Sequence, residues 1–436
     1  MLAQAVTSPL YGKLGDLYGR RRTLFAGAAI FLFASLLCSL AASMLQLVAA
    51  RALLGLGAGA ILPMALTIVG DIYPARRRAQ IQGYLSSVWG ISALAGPALS
   101  AFFVTYFDWR FVFWVNLPIG IIAMTMIAIY YREEMPEREV NVDVDVDVDV
   151  AGALLLVVAT STILYGLVRA LNLTLPEFGA LVLIATIALA LFIRQERRAK
   201  DPMMPLELWQ QRIFTVANGA MITLGAATVG VFAFLPAHIQ GVLGASPTVV
   251  AIGIGIISIG WSVFSAIAGC IVVHSSHRLI VDIGSVSITA GIAMLALAPA
   301  DADLMWIYVA AFLVGAGLGF CHSPLIVAVQ TSVPWNRRGT ATSATIFCRL
   351  LGQAFGAALF GAVISETLCT RVPNADEMAR TILDPARRDA LTPVALGPVV
   401  DALTDGLHNV YAIATIFGVL VILFALGLPR RLRPGG

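Results

Sequence analysis

Residues 1–22 read "MLAQAVTSPLYGKLGDLYGRRR", in which an apolar stretch of eleven residues runs directly into a compact charged segment. Glycines at positions 12, 15 and 19 favour a tight turn and close approach of neighbouring helices, and Lys13, Arg20, Arg21 and Arg22 make the segment basic. These features predict a short loop between two membrane helices. Because a helix needs about twenty residues to cross a bilayer, residues 1–11 are interpreted as the tail of one further span.

The whole chain has the composition of a protein that crosses a membrane many times. Of its 436 residues, 59% are hydrophobic and 12% are charged, whereas soluble domains carry about 25% charged residues. Twelve complete spans are predicted, at roughly residues 23–44, 47–70, 81–105, 110–131, 150–170, 177–195, 214–236, 247–271, 279–299, 304–330, 341–366 and 407–428.

Basic residues are concentrated on alternate connections between these spans. With the loop at residues 12–22 placed in the cytoplasm, most of the 28 basic residues fall on that side, as the positive-inside rule expects. The basic residues on the opposite side lie in one long loop, where the rule has little weight, and they are Arg371, Arg380, Arg387 and Arg388. The charge distribution therefore predicts a cytoplasmic C-terminus.

Parts of the chain repeat at a fixed offset of 260 residues. The segment "GLGAG" at 55–59 recurs as "GAGLG" at 315–319, and the other matches are Pro74 with Pro334, Arg77 with Arg337, Arg78 with Arg338, and Gly96 with Gly356. Parallel repeats of this kind are typical of secondary transporters, with the substrate site between the repeats. The sequence thus predicts an all-α membrane protein with two pseudo-symmetric helical halves.

Two extra helices are predicted between the halves. The expected divisions are an N-terminal half at 1–131, a cytoplasmic acidic linker at 132–149, the extra helices at 150–195, a second linker at 196–213, a C-terminal half at 214–428 with a long extracytoplasmic loop at 367–406, and a tail at 429–436. The first linker contains "NVDVDVDVDV", whose alternation is compatible with a strand, although a low-complexity linker is the preferred interpretation.

The opening loop resembles a known family signature. Its pattern Gly-x-Leu-x-Asp-x-x-Gly-Arg-Arg resembles the loop that joins the second and third helices of the major facilitator superfamily. That resemblance implies a latch for one access state, formed by Gly12, Asp16, Gly19, Arg20 and Arg21. It also implies that the first helix and the start of the second are missing from this sequence. Leu17 stands where many members carry arginine.

Two further segments resemble motifs of the same family. "ARALLGLGAGAILP" at 50–63 is similar to the fourth-helix motif, which implies a role in proton coupling for Arg51; the alternative is an arginine that extends toward the membrane surface. "GISALAGPALSAFF" at 90–103 is similar to the fifth-helix motif of antiporters, represented here by Gly90, Gly96 and Pro97. An ordinary kinked helix is the alternative.

The segments "DWRFVFWVNLPIG" (108–120), "FLPAHIQGVLGASP" (234–247) and "RLLGQAFGAALFG" (349–361) resemble the fourteen-helix drug:proton antiporters. The implied function is export of hydrophobic or cationic small molecules in exchange for protons, by alternating access, across a bacterial inner membrane. Two alternatives remain open: export of one specific metabolite or antibiotic by the same fold, and a membrane receptor or truncated fragment that does not transport.

Polar residues inside the predicted spans are candidates for the transport site. His322 is a second proton-coupling candidate, since imidazole titrates near neutral pH; a hydrogen-bonded packing residue is the alternative. Cavity candidates are Asn218, Gln330, Arg349 and Gln353, and for each of these residues a structural role is the alternative.

The sequence holds no motif that indicates an enzyme, a metal site, a bound cofactor or nucleic-acid binding. The expected partners are a small-molecule substrate, protons and membrane lipid. A periplasmic adaptor is left open.

Overall fold

A computed structural model describes residues 2–133, 149–169, 173–199, 202–272, 275–299, 302–371 and 393–429, and these residues form helices without any strand. The N-terminal helices are α1 (Leu2–Tyr18), α2 (Arg20–Ser39), α3 (Met44–Ile72), α4 (Ala75–Tyr106), α5 (Phe111–Trp114) and α6 (Asn116–Tyr130). Then follow α7 (Val150–Arg169), α8 (Leu175–Arg198), α9 (Leu206–Gln210) and α10 (Arg212–Phe232). The C-terminal helices are α11 (Pro247–Ile271), α12 (His277–Ala296), α13 (Leu304–Ser332), α14 (Arg338–Arg371) and α15 (Pro393–Gly427).

Every predicted span falls on helical structure, and the span at 110–131 is divided between α5 and α6. In the described part, ten helices are long and apolar enough to cross a membrane by length and composition, and α7 is a shorter apolar helix. α14 extends to Arg371 and α15 begins at Pro393, so the segment expected as a loop at 367–406 is helical at both ends. Residues 134–148, 372–392 and 430–436, which include most of the acidic repeat, lie outside the described residues.

The opening loop is more helical than the sequence predicts. α1 continues to Tyr18 and α2 begins at Arg20, so Gly19 alone interrupts the helices. Gly19 has a φ of 98°, a backbone conformation that glycine adopts without the steric cost of a Cβ atom. The tight turn is therefore one residue long, and the charged side chains on either side of it are held by helices.

Two helix pairs join the halves. α1 packs along α14, and α4 packs along α11. Adding 260 to the residue numbers moves the first part of α1 onto the end of α11, and α4 onto α14. The α1–α14 contact therefore corresponds to the α11–α4 contact, and the two are related by the pseudo-symmetry of the halves. This arrangement fits the parallel repeat that the sequence predicts.

Glycines allow both pairs to approach closely. A Cβ atom on Gly12 would collide with Ser343 and the Gly339 carbonyl of α14. A Cβ atom on Gly90 would collide with Ser258 and Ser262 of α11. Small residues of this kind bring helix backbones together in membranes, where van der Waals packing drives association.

Other helices lie at the edge of the bundle. α5 and α6 contain no buried residue, and only 11% of the apolar window of α8 is buried. α7 packs against α8, α14 and α1. The two extra helices thus attach beside the α1–α14 contact.

Candidate functional site

The charged residue of the signature loop binds across the two halves. Asp16 Oδ1 accepts a hydrogen bond from the Gly339 backbone N–H at 2.9 Å, and Oδ2 accepts from the Thr340 N–H at 2.7 Å and from its hydroxyl at 2.8 Å. The first N–H groups of a helix have no partner inside the helix and carry partial positive charge. Asp16 of α1 therefore caps the N-terminus of α14.

Arg20 ties this cap to α3 and to the turn before α14. Its Nη2 donates to Asp16 Oδ1 at 3.0 Å and to the Trp335 carbonyl at 2.9 Å, and its Nε lies 3.1 Å from Asp71 Oδ2. The guanidinium carbon lies 3.7 Å from the centre of the Trp335 ring, a cation–π arrangement. The side chain is only 1% exposed, so these contacts replace its water.

Arg338 completes what we call the inter-half network, defined by Asp16, Arg20, Asp71 and Arg338. Its Nη1 lies 3.3 Å from Asp71 Oδ1 and 3.3 Å from the Gly70 carbonyl. Asp71 thus joins an arginine of its own half to one of the other half. Asp71 and Arg338 were not singled out as site residues from the sequence, although Arg338 belongs to the repeated Pro-x-x-Arg-Arg loop.

Arg21 points away from this network. Its Nη2 donates to the Ala128 carbonyl of α6 at 2.8 Å, and the backbone N–H groups of Arg20 and Arg21 donate to Glu133 at 2.6 and 3.1 Å. Glu133 thereby caps α2 just past the turn at Gly19. Sequence reasoning missed Glu133; its only signal was a carboxylate directly after an apolar helix.

The charged network has no second copy at the other contact between the halves, as far as the structure describes that contact. Arg78 is the repeat counterpart of Arg338, and it is buried with one weak contact to the Tyr73 carbonyl at 3.5 Å. Its Nε and Nη1 atoms have no hydrogen-bond partner in the described part of the chain. The counterpart of Asp71 is Thr331, which has no charge to offer. The α1–α14 and α4–α11 contacts therefore share the same helix packing but differ in the charged side chains near them.

A neutral amide cluster lies between the same helices. Gln330 Nε2 donates to the Leu66 carbonyl and to the Thr342 hydroxyl, both at 3.1 Å, and its Oε1 accepts from Gln82 Nε2 at 2.9 Å. Gln82 and Thr342 are 260 residues apart, so the two repeats contribute equivalent positions to one central amide. Gln330, expected as a cavity candidate, lies in the contact between the halves.

An inter-half cavity of about 310 Å³ opens beside this cluster. Its wall consists of Gln4, Ala58, Ile61, Leu62, Ala65, Leu66, Leu85, Val88 and His322. The His322 ring is 8% exposed and packs edge-on to Trp261, with ring centres 5.7 Å apart. Neither ring nitrogen of His322 has a hydrogen-bond partner within the described ranges.

No other expected site residue is among the described residues that line this cavity. Arg51 is exposed near the start of α3, as expected for an arginine that extends toward a membrane surface. Asn218 and Arg349 are buried, Gln353 is half-buried, and the charge of Arg349 acts on the His322 ring. Of the polar site residues expected inside spans, His322 lines the cavity, whereas Asn218 and Arg349 are packed among the helices.

The antiporter-type segment is part of the continuous helix α4. Gly90 makes the close contact with α11, whereas a Cβ atom on Gly96 would meet nothing within 4 Å. The side chain of Pro97 lies outside the described part. In the described residues, no group of three His, Cys, Asp or Glu side chains is placed to hold a metal ion.

Comparisons with known proteins agree with this geometry. A family model described as Major Facilitator Superfamily matches residues 1–357. Multidrug resistance protein 3 of Bacillus subtilis (strain 168) is 29% identical over 435 residues, which cover 95% of this chain and 84% of that protein. Multidrug transporter protein MdtP of the same organism is 29% identical over 379 residues, which cover 84% of this chain and 67% of that protein.

A solved structure supports the same fold. The proton:xylose symporter XylE superposes with a TM-score of 0.60 at 15% identity, covering 97% of this chain and 83% of that one. At this identity the likeness concerns the fold alone. The predicted all-α architecture with two pseudo-symmetric halves is confirmed.

Proposed function

Because this chain belongs to the Major Facilitator Superfamily, we propose that it is a secondary transporter that exports hydrophobic or cationic small molecules in exchange for protons. The observation that carries the proposal is an apolar cavity between the halves. At the loop end of the bundle, ion pairs of Asp71 with Arg20 and Arg338 connect residues of both halves. Relatives named as multidrug proteins support efflux as the direction.

The proposed transport mechanism depends on which contacts between the two halves must break when the cavity opens. Alternating access requires the two halves to rock about a shared site. Opening the end that bears the signature loop requires Asp16 to release the N-terminus of α14 and Asp71 to release Arg338. The network therefore stabilises the state in which this end is closed. The basic loops support a cytoplasmic position for this end and for the C-terminus, in a bacterial inner membrane.

For the proton, His322 is the better placed of the two candidates. Its imidazole lines the cavity, and histidine is the side chain whose charge ordinarily changes between pH 5 and 8. Arg51 is exposed and a guanidinium keeps its proton in proteins. His322 is thus proposed as the group through which protons act on the cavity.

Transport in energised vesicles tests this function. Inside-out vesicles that contain the protein should accumulate a fluorescent drug, and an uncoupler should abolish the accumulation. Arg20→Ala should lower the rate at least about tenfold, because it removes several charge-assisted contacts, each worth about 1.5–3 kcal/mol. Arg22→Ala is the matched control, since Arg22 is an exposed neighbour.

Two outcomes of the vesicle assay would contradict the proposed function. If vesicles with the protein accumulate no drug beyond empty vesicles across a panel of neutral and cationic dyes, drug export is wrong. If accumulation occurs but withstands the uncoupler, the proton coupling is wrong.

A further inference from the structure

The inter-half cavity has one polar side chain on each wall, and the inference from this arrangement rests on the proposed export function. Gln4 belongs to α1 of the N-terminal half, and His322 belongs to α13 of the C-terminal half. The other lining residues are aliphatic. A molecule held between the two polar groups would therefore touch both halves at once.

His322 is an unsatisfied hydrogen-bonding group at this wall. It is 8% exposed, and both ring nitrogens lack a partner in the part of the chain that the structure describes. A buried polar group without a partner costs free energy that a hydrogen bond recovers. The polar group of a ligand in the cavity would supply that bond, because the ring already lines the space.

The helix stretches that form the cavity wall carry no acidic side chain, and Asp16 of α1 and Asp71 of α3 lie beyond these stretches. Stretches 2–15 of α1, 44–70 of α3, 75–106 of α4 and 304–332 of α13 contain no Asp or Glu. Among the lining residues that the structure describes there is no Phe, Tyr or Trp whose ring face would bind a cation. A cation entering this space would lose its water without gaining a counter-charge.

We propose that the cavity selects compact, uncharged apolar molecules with a hydrogen-bonding group, held between Gln4 and His322, over cations of the same shape. The size fits this class, because 310 Å³ is at the small end of ligand pockets, which span about 300–1,000 Å³. The aliphatic wall provides affinity and the two polar side chains fix orientation.

A matched pair of probes tests the selection. The neutral probe is 2-acetyl-6-(dimethylamino)naphthalene, and its cationic partner carries a trimethylammonium group in place of the amine. Equilibrium binding is measured by fluorescence with the full chain in lipid nanodiscs, with empty nanodiscs subtracted. The neutral probe should bind at least about tenfold more tightly, as expected when a charge must be desolvated without a partner.

Substitutions then locate the binding groups. His322→Ala and Gln4→Ala should each raise the Kd of the neutral probe about fivefold, the loss of roughly one net hydrogen bond, and His322→Gln should recover part of it. His408→Ala is the control, since His408 on α15 does not line the cavity. Melting temperatures of all variants show whether any loss reflects unfolding.

Three outcomes overturn the selection: the cation binds as tightly as the neutral probe, neither probe binds, or His322→Ala and Gln4→Ala leave the Kd unchanged while the fold is intact. The failure of the export function has a separate signature. Uncoupler-sensitive export of cationic dyes together with tighter cation binding refutes the selection alone. Absence of any transport in vesicles refutes export without altering the binding ratio.

Discussion

At the residue scale, Asp16 explains why the signature loop needs a carboxylate at that position. Its two oxygens accept hydrogen bonds from the first residues of α14 and also receive Arg20. These partners lie more than 300 positions away or one helical turn away. Leu17 adds no charge to this network, and Arg20 together with Arg338 provides its positive side.

Asp16→Asn should open the loop end of the bundle. The amide nitrogen cannot accept from Thr340, and the charge that favours the N-terminus of α14 is lost, so the closed state should lose at least about tenfold in population. With the five native cysteines replaced, a cysteine at the buried position of Thr342 reports opening through its rate of maleimide labelling.

Asp303→Asn is the control for this change. Asp303 precedes α13 and makes no capping hydrogen bond through its side chain, so labelling at position 342 should stay at the parent rate. Equal labelling rates for Asp16→Asn and the parent protein would contradict the role assigned to the Asp16 cap.

At the element scale, the helix pairs α1–α14 and α4–α11 pack by the same type of close contact. Both rely on glycine against small polar residues, Gly12 against Ser343 and Gly90 against Ser258 and Ser262. The charged cap belongs to the first pair alone, because the repeat counterpart of Asp16 is Ser276. The second pair therefore depends on close packing for its stability.

Gly90→Ala and Gly96→Ala should differ sharply in stability. A Cβ atom at Gly90 would come within 2.6 Å of the Ser258 carbonyl, a backbone atom that cannot easily move, whereas at Gly96 it would meet nothing within 4 Å. Overpacking of this kind costs about 1–3 kcal/mol. Thermal unfolding in detergent should show a lower melting temperature for Gly90→Ala and little change for Gly96→Ala; equal values would contradict the packing described for α4 and α11.

At the scale of the whole molecule, the two halves meet through charges at the loop end and through the amide cluster of Gln330 beside the cavity. Both sets of contacts join residues of the N-terminal half to α13 or α14. A transport cycle by rocking must break both sets of contacts, since each set joins residues of different halves. A covalent bond across one contact should therefore stop the cycle.

Bridging Gln82→Cys and Gln330→Cys with a reducible bifunctional thiol reagent should abolish transport. The two native side chains meet across the halves at 2.9 Å in the amide cluster, so the bridge holds the halves together, and a reductant should restore the rate that the double variant shows before bridging. Ser287→Cys with Leu313→Cys is the control pair, because the Ser287 hydroxyl contacts the Leu313 carbonyl within the C-terminal half. Full transport by the protein bridged between positions 82 and 330 would rule out separation of the halves at the amide cluster.

The class of the protein and its internal repeat follow from the amino-acid sequence, which also points to Asp16 and Arg20 of the inter-half network. Low charge and long apolar stretches specify membrane helices because the bilayer admits little else. The 260-residue offset specifies two related halves. Asp16, Arg20 and the positive-φ glycine are recognisable because their spacing is local and their residue types are strongly constrained.

Which distant residues join Asp16 and His322 depends on how the helices pack in three dimensions. Asp71, Arg338 and Glu133 join the signature loop, and Gln4 joins His322, through contacts between separate helices. A membrane helix that is apolar on all sides gives no periodic signal for the face that meets a cavity. The direction of Gln330 into the contact between halves, and of His322 into the cavity, is set by how each helix is rotated against its neighbours.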